Sequence, residues 1–236
     1  MKMIRLRCAL ALALALACSA HAFAAARPTV VELYTSEGCS SCPPADQLLG
    51  TLADRPDVLA LAFHVRYWDN LGWPDRFGLA YADQRQGIYA QRLNLASVFT
   101  PQLIIEGQRS FIGSDQRGIL ALLGVSHQGV AIGIAAQGEQ LRIDLAAGEK
   151  AATADVLLLA LLPEAQTAIG RGENGGRTLR EVNVVRASFV LGGWNGSTHS
   201  YSLPRAALPT DATEVAVLVQ QQGQRTILGA SLAALR

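Results

Sequence analysis

Apolar and β-branched runs recur through the first half of the chain, separated by stretches with helical spacing. Thr29-Val30-Val31-Glu32-Leu33-Tyr34-Thr35 reads as a strand feeding the turn Ser36-Glu37-Gly38. Pro43 and Pro44 then open a helix running to Ala53, because prolines in a first helical turn give up no hydrogen bond. Val58 to Val65 is a second buried strand, followed by a polar and aromatic stretch from Arg66 to Tyr81, of which Arg66 to Phe77, with its Gly, Pro and Asn, predicts a loop. A helix-like segment follows from Ala82 to Leu95. Thr100-Pro101 opens the strand Gln102 to Glu106, Gly107 turns the chain, Arg109 to Ile112 forms the hairpin partner, and Ser114 is expected to cap a helix through Leu123. The order βαβαββα predicts an α/β unit around a central mixed sheet.

From Gly129 onward the texture changes to strands broken by Gly-rich turns. Val130–Ile134, Leu141–Leu145, Asp155–Leu161, Val182–Leu191, Thr198–Leu203, Val215–Gln220 and Arg225–Gly229 are the expected strands. Their pattern predicts a small antiparallel β-sandwich. Two domains are therefore expected, at 25–127 and 128–236.

The N-terminus changes the picture of where the protein works. Lys2, Arg5 and Arg7 precede the alternating Ala/Leu run 9–17, and small residues end at Ala20-His21-Ala22-Phe23-Ala24. This order is that of a cleaved secretory signal peptide, residues 1–24, and the run is too short for a transmembrane anchor. A periplasmic or secreted location is expected, with no anchor left after cleavage. Removing three basic residues takes the formal charge from +1 to −2, which points away from a nucleic-acid partner. Cleavage also removes Cys8 and Cys18, leaving Cys39 and Cys42 as the only thiols.

Their C-x-x-C spacing falls at the expected start of a helix. Partial positive charge and free N–H groups there stabilise a thiolate, the form that attacks disulfides. Cys39, expected to be the more exposed, is the candidate nucleophile, and Cys42, one turn further in, the resolving thiol. A static disulfide is the competing reading, disfavoured because a two-residue loop constrains the unfolded chain little. Structural zinc would need further ligands, and only His64, His127 and His199 remain after cleavage. No cofactor is expected.

Trp68 and Trp73 lie in the loop after the second strand, where they form either a partner-binding wall beside the thiols or anchors for the loop itself. Ile169 to Arg177 is a glycine-rich loop without the lysine or spacing of a phosphate-binding motif. It reads as a solvent-exposed turn or as a contact between the two halves through Arg171 or Arg177.

The strand, C-x-x-C, helix and later Thr100-Pro101 resemble the thioredoxin-like superfamily. Within it the chain is similar to a secreted bacterial family, domain of unknown function 1223 (DUF1223). The residues that carry this are Glu32 to Asp46, His64-Val65, Tyr67-Trp68-Asp69 and Arg171-Gly172-Glu173-Asn174. The resemblance implies a cis-proline at Pro101 facing the cysteines, with Thr100 and Pro101 lining a substrate groove. It offers Glu32 as a proton-transfer acid, one residue out of the expected register. The resemblance supplies a fold rather than a reaction; the position of the C-x-x-C pair is what predicts a thiol–disulfide oxidoreductase acting on protein disulfides. The alternatives are a copper-binding chaperone using Cys39, Cys42 and His64, and a non-catalytic interaction module.

Overall fold

A computed structural model describes residues 25–148 and 153–235; the expected signal peptide lies outside them. In chain order the elements are β1 (Ala25–Arg27), β2 (Thr29–Thr35), α1 (Pro43–Ala53), β3 (Val58–His64), α2 (Ala80–Arg92), β4 (Gln102–Ile105), β5 (Arg109–Ile112), α3 (Gln116–Leu120) and β6 (His127–Gly129). There follow β7 (Ile132–Gln137), β8 (Gln140–Leu145), β9 (Ala154–Ala168), β10 (Thr178–Trp194), β11 (His199–Pro204), β12 (Glu214–Gln221) and β13 (Ile227–Ala234). Among the described residues, no helix is long and apolar enough to cross a membrane.

The fold is mixed α/β around one large mixed sheet, with additional antiparallel sheets. Eight strands join in the order β13-β12-β9-β10-β3-β2-β4-β5. Strand β3 is parallel to β2 on one side and, at Val184↔Ala62, to β10 on the other. Every residue of β2 and β3 is buried, as expected of strands covered on both faces. Helices α1 and α3 pack with Val31, Leu33, Ala60 and Ala62 on one face. Helix α2 covers Val30, Tyr34, Leu61 and Phe63 on the other.

The expected free-standing sandwich is corrected. Strands β9, β10, β12 and β13 extend the central sheet instead of forming a separate one. A three-stranded sheet, β11-β8-β7, does pack face to face against Val156, Leu158, Val215, Val217 and Val219. Its second layer is thus the far end of the central sheet, held there because β10 pairs with β3 and leaves no edge between the halves. A further correction concerns α3, whose cap is Asp115, accepting from Gly118 N, in place of Ser114.

Candidate functional site around Cys39 and Cys42

Strand β2 delivers the chain into the turn that carries the cysteines, and α1 begins immediately after Cys42 with Pro43 and Pro44 in its first turn. Cys39 and Cys42 form a disulfide, with their Cα atoms 5.4 Å apart. Neither residue has exposed surface, which corrects the expectation that Cys39 is the more exposed of the two; only Ser40 and Ser41 between them are exposed.

Thr100 Oγ1 donates to Cys39 Sγ at 3.3 Å, and the Thr100–Pro101 peptide is cis. The indole N–H of Trp68 donates to the same hydroxyl at 2.8 Å. Trp73 donates to Glu37 Oε2 at 2.8 Å. Both tryptophans therefore stand at the site and also pin its loops, so the two sequence readings of this segment are not exclusive. Glu37 is fully buried, and its N–H donates to Asp75 Oδ2 at 2.8 Å.

His64 ends β3 and is fully buried. Its Nδ1 lies 2.8 Å from Asp75 Oδ2, and its Nε2 faces Glu181 of β10 at 3.8 Å. Burial alone would lower the imidazole pKa, but the charge and hydrogen bond of Asp75, joined by Glu181 and Asp46, push it up to about 9. Asp75 is held below the usual carboxylate range: burial raises it, and His64 more than reverses that. Asp46, one helical turn beyond Cys42 and accepting from Thr35 Oγ1 at 2.7 Å, is driven well above that range by burial and then by Glu181. Glu181 is raised by its own burial. Asp46 and Glu181 share the wall of a cleft of about 450 Å³ between α1 and β10.

Asp75 thus takes Nδ1, Nε2 faces Glu181 without a hydrogen-bond partner among the described residues, and His64 does not join the cysteines as a donor set. Among the described residues no three His, Cys, Asp or Glu side chains are grouped to hold a metal ion, so the Cys39, Cys42 and His64 copper site is corrected. Glu32 is corrected as well. Strand alternation turns it onto the α2 face, where Arg85 Nε and Nη2 donate at 2.6 and 2.9 Å and Tyr89 donates at 2.7 Å. It is a satisfied buried anion, away from the α1 face.

The residues that sequence reasoning missed come from the tip between β9 and β10. Asn174, 1% exposed, donates from Nδ2 to the carbonyls of both Glu37 and Cys39 at 2.9 Å. Glu173 accepts from the N–H of Ser40 at 3.1 Å. The contact between the halves anticipated for this loop exists, but Asn174 and Glu173 make it, while Arg177 supports Asn174 Oδ1 at 3.1 Å. Gly172 lets the tip approach: a Cβ there would stand 3.2 Å from Trp73 Cβ, on a backbone with φ +78°.

Among solved structures, protein AGR_C_4864 from Agrobacterium tumefaciens is 31% identical, with a TM-score of 0.77 over 90% of this chain and 96% of that one. HBP35 of Porphyromonas gingivalis resembles it in fold alone, at 13% identity, with a TM-score of 0.62 over 89% of this chain and 76% of that one. None of the curated proteins searched matches. The model of the family described as "Protein of unknown function (DUF1223)" matches residues 30–220, and the chain belongs to that family.

Proposed function

We propose that this chain is a periplasmic thiol–disulfide oxidoreductase on a thioredoxin-like frame, exchanging disulfides with a protein partner through Cys39 and Cys42. The observation that carries the reading is the disulfide at the start of the eleven-residue helix α1, with the Thr100 hydroxyl directed at Cys39 Sγ. Amides at a helix start, together with that hydroxyl, favour negative charge on the sulfur.

In the oxidising direction, a partner thiolate attacks Cys39 Sγ, the Cys39–Cys42 bond breaks and Cys42 leaves as thiolate. A second partner thiolate then attacks the partner's sulfur in the mixed disulfide and releases Cys39. The partner's two thiols end as a disulfide, and its two protons pass to Cys39, Cys42 or solvent. The reducing direction is the same sequence reversed. Because the sulfurs have no exposed surface, the encounter requires the rim of Ser40, Ser41, Thr100 and Trp68 to yield to the partner.

Equilibration with glutathione and trapping with Cys42→Ser test this. The expected results are a reduction potential within the range of working dithiols and a mixed disulfide on Cys39. A potential far below about −300 mV, or no trapped partner, would mark a structural bridge or an interaction module.

A further inference from the structure

The tip between β9 and β10 reaches the redox loop from more than a hundred residues away, and every polar atom of its Asn174 side chain is engaged there. One hydrogen of Nδ2 goes to Glu37 O, the other to Cys39 O, and Oδ1 accepts from Arg177. Turning the amide over would set its oxygen against two carbonyls, so the orientation is fixed by its partners. The tip is itself closed by Ile169 N–H to Arg177 O and Gly176 N–H to Ile169 O, at 2.9 and 2.8 Å. The Cys39 carbonyl is thereby held from outside the loop while it also accepts from Cys42 N–H at 3.2 Å. Beside it, the Glu173 carboxylate takes the N–H of Ser40, the first amide after Cys39. Hydrogen bonds from the Ser40 hydroxyl and backbone hold Glu173 below the ordinary glutamate value, so it is an anion at neutral pH.

Resting on the proposed exchange reaction, we infer that Glu173 and Asn174 are positioning residues that set the redox poise of Cys39–Cys42, making the disulfide harder to reduce. Two effects act in one direction. A loop held by Asn174 keeps the two thiols preorganised after reduction, so closing the bond orders less chain. The Glu173 charge repels a Cys39 thiolate and occupies an amide that would otherwise stabilise it. The remaining charged groups around the loop, Glu37 with its partner Arg76, Asp75, Asp46 and Arg177, are left in place when either residue is changed.

The test is the equilibrium constant of the full chain with glutathione, measured for wild type, Glu173→Gln and Asn174→Ala. Arg180→Ala serves as control, on the same strand pair but engaged in an exposed bridge to Glu164. Each tip variant is expected to be reduced about tenfold more readily, a shift of about 30 mV for a two-electron couple, with the control unchanged. Glu173→Gln also lowers the pH at which Cys39 alkylation reaches half its limiting rate. Constants within threefold of wild type would overturn the inference. If Asn174→Ala fails to fold, Glu173→Gln decides alone, since that side chain is exposed and its loss leaves the core intact. A wild-type potential of a structural bridge would sink the proposed function, while the differences between variants would still show whether the tip sets the potential.

Discussion

Trp68 and Cys39 meet through one hydroxyl: Thr100 Oγ1 accepts the indole N–H at 2.8 Å and donates to the Cys39 sulfur at 3.3 Å. Thr100→Val keeps the shape and removes both bonds. It should cost about 1 kcal/mol of stability, because the half-buried indole N–H loses its partner. In the reduced protein at pH 7, Cys39 should be alkylated about fivefold more slowly, since a hydrogen bond of that strength no longer favours the thiolate. Denaturant unfolding and thiol alkylation measure the two effects, and an unchanged alkylation rate would mean that the hydroxyl does not serve the reduced sulfur.

Stability should fall as pH rises from 6 to 9. His64 has its folded pKa pushed from 6.5 to about 9, so its contribution is complete below 6.5 and is lost as pH climbs through 9. The shift corresponds to about 3 kcal/mol shared with Asp75. Asp46 and Glu181, whose carboxyl values are raised, drive stability the same way, because the folded state keeps protons that the unfolded chain releases. Asp75, being lowered, acts oppositely and only at acid pH, where its protonation removes stability. Urea unfolding at several pH values tests this. Asp75→Asn should flatten the alkaline decline, and a wild-type profile already flat between pH 6 and 9 would contradict the ionic reading of the pair.

On the other face of the sheet, Arg85→Ala leaves Glu32 as a buried anion without its cation. The expected cost is about 3–5 kcal/mol, whereas Arg85→Met combined with Glu32→Gln should cost distinctly less. Equal losses for the single and double variants would show that the charge pair is not what the site requires.

A methyl at Gly113 would stand 2.9 Å from Ala45 Cβ, Leu33 Cδ1 and Pro101 Cβ together. Gly113→Ala therefore drives a wedge between α1 and the Thr100–Pro101 segment. Overpacking should cost about 1–3 kcal/mol and alter Cys39 reactivity without touching a polar group. Loss of stability with wild-type alkylation kinetics would mean that Thr100 keeps its place regardless.

What could be read from the chain was what is local in it. The strand, the C-x-x-C turn, the proline-led helix and the Thr100-Pro101 hairpin lie within adjacent residues, and composition and periodicity mark each one. Glu32 shows the limit of a position taken from resemblance, since the period-2 alternation of β2 places it with Val30 and Tyr34, under α2. Asp46 lies in the first turn of α1, and it is burial, joined by the approach of Glu181 from β10, that makes it unusual. The same cause hid Asn174: nothing near residue 174 announces a carbonyl of residue 39. The long strands β9 and β10 were recognised in part, but the parallel contact of Val184 with Ala62, which fuses the halves, has no local signature.

That contact between β10 and β3 has a consequence for how the molecule is made. A chain interrupted near residue 128 would carry the cysteines, Thr100 and both tryptophans, yet β3 would present a bare hydrogen-bonding edge, and His64 would face no Glu181. During synthesis the thiols thus exist for a time without Asn174 over their loop. The motif acquires its final surroundings only when the last third of the polypeptide arrives, so it cannot be lifted out as a cassette and keep the same chemistry.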